Sequence, residues 1–93
     1  MSKYTPLEKF LDYSKTYNNV LNMSFDDIEE IIGDALPDSA YKHAAWWANE
    51  KHGSHSHAKA WMQAGWKVDG VDFDRKRVQF TVVKLEPRVR SRS

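Results

Sequence analysis

The stretch WKVDGVDFDRKRVQFTVVKL, residues 66–85, decides the fold. Apolar side chains recur every two or three positions on either side of a charged interruption. Val68, Val71 and Phe73 precede it, and Val78, Phe80 and Val82 follow it. A period of two is the signature of a half-buried strand, so two strands joined through the turn DRKR, residues 74–77, are expected. The turn carries no Asn-Gly pair, which leaves the register of the hairpin open.

Upstream the period changes. SFDDIEEIIGDALPDSA, residues 24–40, places Phe25, Ile28 and Ile32 on one helical stripe, joined by Ile31. Ser24 suits the N-cap, and Asp26, Asp27, Glu29 and Glu30 put negative charge near the positive end of the helix dipole. Those acids form a solvated face and cap rather than a catalytic pair. Gly33 can take the left-handed C-cap. Pro37 holds Leu36 extended, and Asp38 or Ser39 can cap a short helix.

Further back, TPLEKFLDYSKTY (5–17) predicts a helix with Thr5 as cap, Pro6 in the first turn and Glu8 completing a capping box. Leu7, Phe10 and Leu11 would share its inward face, and Asn18-Asn19 would end it. VLNMSF (20–25) alternates Val20, Asn22 and Ser24 against Leu21, Met23 and Phe25, a short strand. GSHSHAKAWMQAGW (53–66) supplies another helix, capped by Ser54 or Ser56 and closed by Gly65, with Ala58, Trp61 and Met62 facing inward. The expected architecture is a small α+β domain: three short strands, including the C-terminal hairpin, packed against three or four helices. Phe25, Ile28, Ile32, Trp61, Phe73 and Phe80 should form its core.

The chain has 93 residues, room for one domain. Residues 1–86 are assigned to it and 87–93 to a basic tail. The 13% aromatic content suits a folded chain. Cysteine is absent, which removes disulfides and thiol catalysis. No apolar run approaches the ~20 residues of a membrane span, and the N-terminus lacks a signal-peptide core, so a cytoplasmic location is expected.

Residues 41–66, YKHAAWWANEKHGSHSHAKAWMQAGW, hold all 4 tryptophans and all 4 histidines. The motifs LPDSA, AWWAN, AKAWMQAGW and a hairpin ending in VQF resemble a small bacterial and phage domain family of uncertain function. The resemblance spans residues 24–80 and leaves the first helix and the tail outside its pattern. It implies one compact module and names no ligand.

Trp61 reads as core. Adjacent residues cannot face the same way, so one of Trp46 and Trp47 should be interior and the other near the surface. A surface indole stacks well on a nucleobase. Asn49 could read a base edge, and Ser39, Lys42, His43 and Lys59 could donate to phosphate oxygens. The ordinary alternative for Ser39 and Asn49 is a local cap or turn bond. Trp66, His55 and His57 complete the candidate ligand-binding set. The spacing of His52, His55 and His57 could chelate zinc, but the ligands crowd a Gly-Ser loop; no metal and no cofactor is expected.

Charge is uneven. Residues 1–50 carry 4 Lys/Arg and 9 Asp/Glu, whereas residues 51–93 carry 10 and 4. Either the halves neutralise one another or the basic half meets a polyanion. Arg75, Lys76 and Arg77 at the hairpin turn, with Lys84, Arg88, Arg90 and Arg92 beyond it, are the candidate phosphate contacts. There is no nucleophile elbow, phosphate-binding glycine loop or HExxH helix, so a non-catalytic protein is expected. The leading expectation is a nucleic-acid-binding module using Trp stacking and the basic hairpin and tail. One alternative is a Trp/His/Asn pocket sequestering a small nucleotide-derived ligand, as a phage protein disarming a host immune signal would. Another is an interaction or inhibitor module for a protein partner, with self-association included.

Overall fold

The structure, a computed structural model, describes residues 3–49 and 56–83. It is an α+β fold of four α-helices, one 3-10 turn and a three-stranded antiparallel sheet. In chain order these are α1 (Thr5–Ser14), β1 (Val20–Ser24), α2 (Phe25–Ile32), α3 (Asp38–Lys42), the 3-10 turn Ala44–Trp47, α4 (Ser56–Gln63), β2 (Trp66–Asp72) and β3 (Arg77–Val82). The expected boundary at residue 86 and the tail lie outside the described residues. Among the described residues, no helix is long and apolar enough to cross a membrane.

α2 forms as its sequence dictates. The Ser24 hydroxyl accepts from the Asp27 amide at 2.9 Å, and the Asp27 carboxylate accepts from the Ser24 amide at 3.0 Å. This reciprocal box closes the first turn. Gly33, at φ 70°, ends the helix in the left-handed conformation that a residue without Cβ adopts cheaply.

α1 departs from expectation at its start. Tyr4 occupies the N-cap position without a side-chain capping bond, and Thr5 is already helical. The Thr5–Glu8 capping box is therefore not formed. Tyr4 is buried instead, its ring edge-on to Trp46 and His57 at 6.2 and 5.8 Å, so packing fixes this end. The buried stripe runs Leu7, Leu11, Ser14. Phe10 lies at its margin and is 38% exposed, not inward with the leucines. The helix also stops at Ser14, before Asn18-Asn19. α3 follows the same logic: Pro37 is its N-cap, and neither Asp38 nor Ser39 caps with its side chain because both lie inside the helix.

The sheet order is β1-β3-β2, which places the last strand between the other two. In β1, Leu21 opposes Phe80 and Met23 opposes Val78. In the hairpin, Trp66 opposes Val82, Val68 opposes Phe80 and Val71 opposes Val78. Val68 and Val71 are an odd number of residues apart, so a regular strand would send them to opposite faces. A bulge between Val68 and Gly70 absorbs the extra residue and returns both to the inner face. The turn consequently spans residues 73–76, one position earlier than expected. Phe73 belongs to it, half-buried against the Phe25 ring at 6.5 Å, and not to the strand ladder. Lys76 takes a left-handed φ of 54° to close the turn.

The helices cover the inner face. Trp61, Trp66, Phe25, Phe80, Leu7, Leu11, Ile28 and Val78 are sealed there. Each such side chain contributes about 1.5–3 kcal/mol of burial. Ala58, Ala60 and Ala64 let α4 approach closely, and Met62 is half-buried beside them.

Candidate functional site

The tryptophan segment builds an interior. Phe25, Trp47 and Trp61 stack in sequence, with centroids 5.1 Å and 5.9 Å apart and planes within 20°. Phe80 abuts Trp61 at 5.7 Å. Trp47, Trp61 and Trp66 are all 2% exposed or less. Their indole N–H groups donate to the Ala40 carbonyl (2.8 Å), the Asn49 side-chain oxygen (2.9 Å) and the Leu11 carbonyl (2.8 Å). Buried polar groups need such partners. Sealed and bonded in this way, Trp47 and Trp66 present no open ring face to a ligand.

Trp46 is the half-buried member of the pair. One face lies flat on the His57 imidazole, 3.9 Å between centroids and 4° between planes. His57 is itself 8% exposed, and its Nε2 is 2.9 Å from the Trp46 carbonyl oxygen. Asn49 works within the fold. Its side-chain oxygen accepts from the Val68 amide (2.8 Å) and Trp61, and its Nδ2 donates to the Val68 carbonyl (3.0 Å). One amide thus ties the 3-10 segment, α4 and β2 together just before the bulge. Asn49 is spent on the fold, but not in the local cap or turn bond expected as the ordinary alternative: its partners Trp61 and Val68 lie 12 and 19 residues away. Ser39, Lys42, His43 and Lys59 are exposed and stand outside that cluster. His52 and His55 lie outside the described residues. Among the described residues, no group of three His, Cys, Asp or Glu side chains could hold a metal ion.

Two phenols and one carboxylate titrate abnormally for structural reasons. The Tyr41 hydroxyl donates to Glu29 at 2.6 Å, and this bond with partial burial pushes its pKa up to about 12. Glu29 also accepts from the Leu36 amide at 2.8 Å, so one carboxylate pins the Leu36-Pro37 segment to α3. Burial pushes the Tyr4 phenol up. Lys3, bonded at 3.2 Å, holds Asp34 below the usual carboxylate range.

The outer face of the sheet has a different character. Asn22, Lys67, Asp72 and Arg77 are exposed on it, with Gln79 and Thr81 half-exposed between them. Beside the bulge is a depression of about 370 Å³, lined by Asn22, Gly70, Val71, Asp72, Arg75, Arg77, Val78 and Gln79. Gly70 leaves it open: nothing lies within 4 Å of where its Cβ would stand. Gln79 donates to Asp69 at 2.9 Å. Arg75 pairs with Asp72 at 3.9 Å across the turn, an exposed contact of small energy. Among the described residues no acid pairs with Lys76 or Arg77. Lys84, Arg88, Arg90 and Arg92 are outside the described residues. Thr81 contributes the one buried side-chain oxygen without a hydrogen-bond partner among them, between Val20 and Lys67 in the ladder.

Sequence reasoning passed over a second surface. Tyr13 and Tyr17 are 66% and 71% exposed, with ring centroids 5.6 Å apart. The available signal was periodicity: Tyr13 falls off the stripe defined by Leu7 and Leu11.

The chain belongs to the family described as "Domain of unknown function (DUF7662)", which it matches over residues 4–82. That span takes in α1, which lies outside the motif resemblance, and stops before the basic tail. No curated protein and no solved structure matches the chain.

Proposed function

We propose, from a family membership that itself carries no activity, that this chain is a non-catalytic module binding nucleic acid through the outer face of its sheet and the tip of its hairpin. One observation carries the reading. The polar outer face, with amides of Asn22 and Gln79 around an open depression, ends at three consecutive cations, Arg75, Lys76 and Arg77. Phosphate oxygens accept from Arg and Lys, and side-chain amides fix register along a backbone. Lys84, Arg88, Arg90 and Arg92 follow β3 in the sequence and would supply further phosphate contacts.

The reading differs from its sequence form in one respect: the buried tryptophans hold the scaffold, and cations with amides make the contact. Trp46 and His57 already stack on each other, so no observation favours a nucleotide-sequestering pocket between them.

Fluorescence anisotropy of labelled oligonucleotides across a salt series tests it. Affinity should fall log-linearly with salt, with a slope of several, because several phosphates release counterions. The double variant Arg75→Gln/Arg77→Gln should lower both affinity and slope. Absence of binding at about 50 mM salt, or binding indifferent to salt, overturns the proposal.

A further inference from the structure

Gly70 is a residue that the fold itself does not ask for. Glycine inside a strand weakens it and supplies no side chain to pack. Its structural justifications are a left-handed backbone or a Cβ position too crowded to fill, and a bulge calls for glycine only in its left-handed form. Neither holds here. Gly70 does not take a positive φ, although the bulge lies beside it, and nothing stands within 4 Å of where its Cβ would be. What remains for a glycine in such a place is the close approach of another molecule to bare backbone.

The neighbours of Gly70 say what approaches. It opposes Gln79 on β3, and Gln79 opposes Asn22 on β1, so the three form one row across the sheet. That row lines the depression, whose volume of about 370 Å³ falls at the small end of the range for small-molecule sites, about 300–1,000 Å³. Asp69 accepts from Gln79 Nε2 at 2.9 Å, which fixes this amide and leaves its Oε1 as an acceptor. Among the described residues nothing bonds the exposed Asn22 side chain, whose amide both donates and accepts. Arg77 is the next outer-face position of β3, about 7 Å from Gln79 by strand rise. Asp72 opposes Arg77 but is paired with Arg75, at 3.9 Å. Donors and acceptors over a bare floor, with a guanidinium at one end, match a flat polar ring that carries a phosphate.

We infer that the depression over Gly70 seats one unpaired base of a nucleic-acid strand, with Asn22 and Gln79 on its edge and Arg77 on the adjoining phosphate. The inference rests on the nucleic-acid reading above and gives it a substrate class, the single strand. In a duplex the base edges are paired and the rings stacked, so a base enters a recess of this size only after leaving the helix. Phosphate contacts position a strand, whereas base contacts discriminate. The recess and the hairpin tip therefore have separate tasks: Arg75, Lys76 and Arg77 hold the backbone, and the row at Gly70 selects an unpaired strand.

The test measures binding of a labelled single strand of about a dozen nucleotides, and of the matching duplex, across a salt series starting at about 50 mM. Proteins compared are the wild type, Gly70→Leu, Asn22→Ala and Arg75→Gln/Arg77→Gln, each also unfolded in urea. Gly70→Leu fills the recess from a position where a side chain meets open space, so its unfolding midpoint should equal or exceed that of the wild type. The wild type should prefer the single strand. Gly70→Leu should weaken single-strand binding about tenfold, with the salt slope kept and the duplex little affected. Asn22→Ala should act in the same direction by a smaller factor, whereas the Arg pair should lower the slope. Equal wild-type affinity for both forms overturns the base seat. So does a Gly70→Leu or Asn22→Ala protein that binds the single strand like the wild type, or a Gly70→Leu loss shared equally by the duplex. A clearly lower midpoint for Gly70→Leu gives the glycine a structural task and overturns it too. If the Arg variant alone loses affinity, the base seat fails while the hairpin reading stands. If the wild type binds neither form, both fail.

Discussion

Two sets of rings in this molecule have opposite fates: the slab of Phe25, Trp47 and Trp61, and the pair Tyr13 and Tyr17. The slab is closed on both faces by its own members and by Phe80, and both indole N–H groups in it are bonded internally. The pair stands in solvent. The contrast teaches that dense aromatic composition marks a core in a small domain, where few residues must supply most of the buried area. Aromatic residues scattered among polar ones are the better place to seek a surface that meets something.

The contrast can be broken at its strongest point with Trp61→Ala. Emptying that site should cost about 3–5 kcal/mol, a large share of the 5–15 kcal/mol typical of a whole domain. Urea unfolding would register it as a collapsed midpoint. A loss below about 1 kcal/mol, the range of an ordinary surface change, would mean the slab is not the structural half of the pair.

Asn49→Ala comes next. It leaves the Trp61 indole N–H and the Val68 amide without their acceptor, at about 2 kcal/mol. The same titration measures it, and oligonucleotide affinity should be unchanged when the variant is folded. Reduced affinity in a folded Asn49 variant would return that residue to the ligand-binding set.

Tyr41→Phe should cost about 1 kcal/mol through the lost bond to Glu29. The bond also predicts an alkaline limit. Because folding raises this phenol from 10.0 to about 12, its protonated form is favoured in the native state. Its contribution is complete below pH 10 and disappears as pH climbs towards 12. The wild type should therefore lose stability relative to Tyr41→Phe across that window; parallel curves for the two proteins would refute the assignment.

Smallest of all, Tyr13→Ala and Tyr17→Ala should each shift stability by no more than about 0.5 kcal/mol, since these side chains are mostly exposed. A larger cost in thermal unfolding would place them in the structural group and remove the contrast.

Local chemistry was readable in advance where one residue type has one physical use. Ser24 and Gly33 bracket α2 as their capping preferences require, and the alternation in 20–24 and 77–82 gives strands. Three features were hidden for physical reasons. The bulge at Val68/Gly70 has no composition of its own; it appears only when Val68 and Val71 must share a face. The strand order depends on contacts between distant segments. Asn49 and the tryptophans read as a ligand surface because an amide near indoles has the same donors and acceptors whether it faces a base or Trp61 and Val68. Arg75 and Arg77 border the open depression, and the exposure of the tyrosines emerged only when the helical stripe was fixed by Leu7, Leu11 and Ser14.

The position of β3 governs when this fold can exist at all. Among the described residues, β1 and β2 do not touch as a ladder, and each pairs only with residues 77–82. During synthesis, a nascent chain that has emerged through residue 76 holds two strands with no partner and an inner layer of rings with no floor. Docking of β3 must then complete the sheet in one step, joining segments far apart in the sequence. Such a sheet should form only once residues 77–82 have been made, rather than piece by piece.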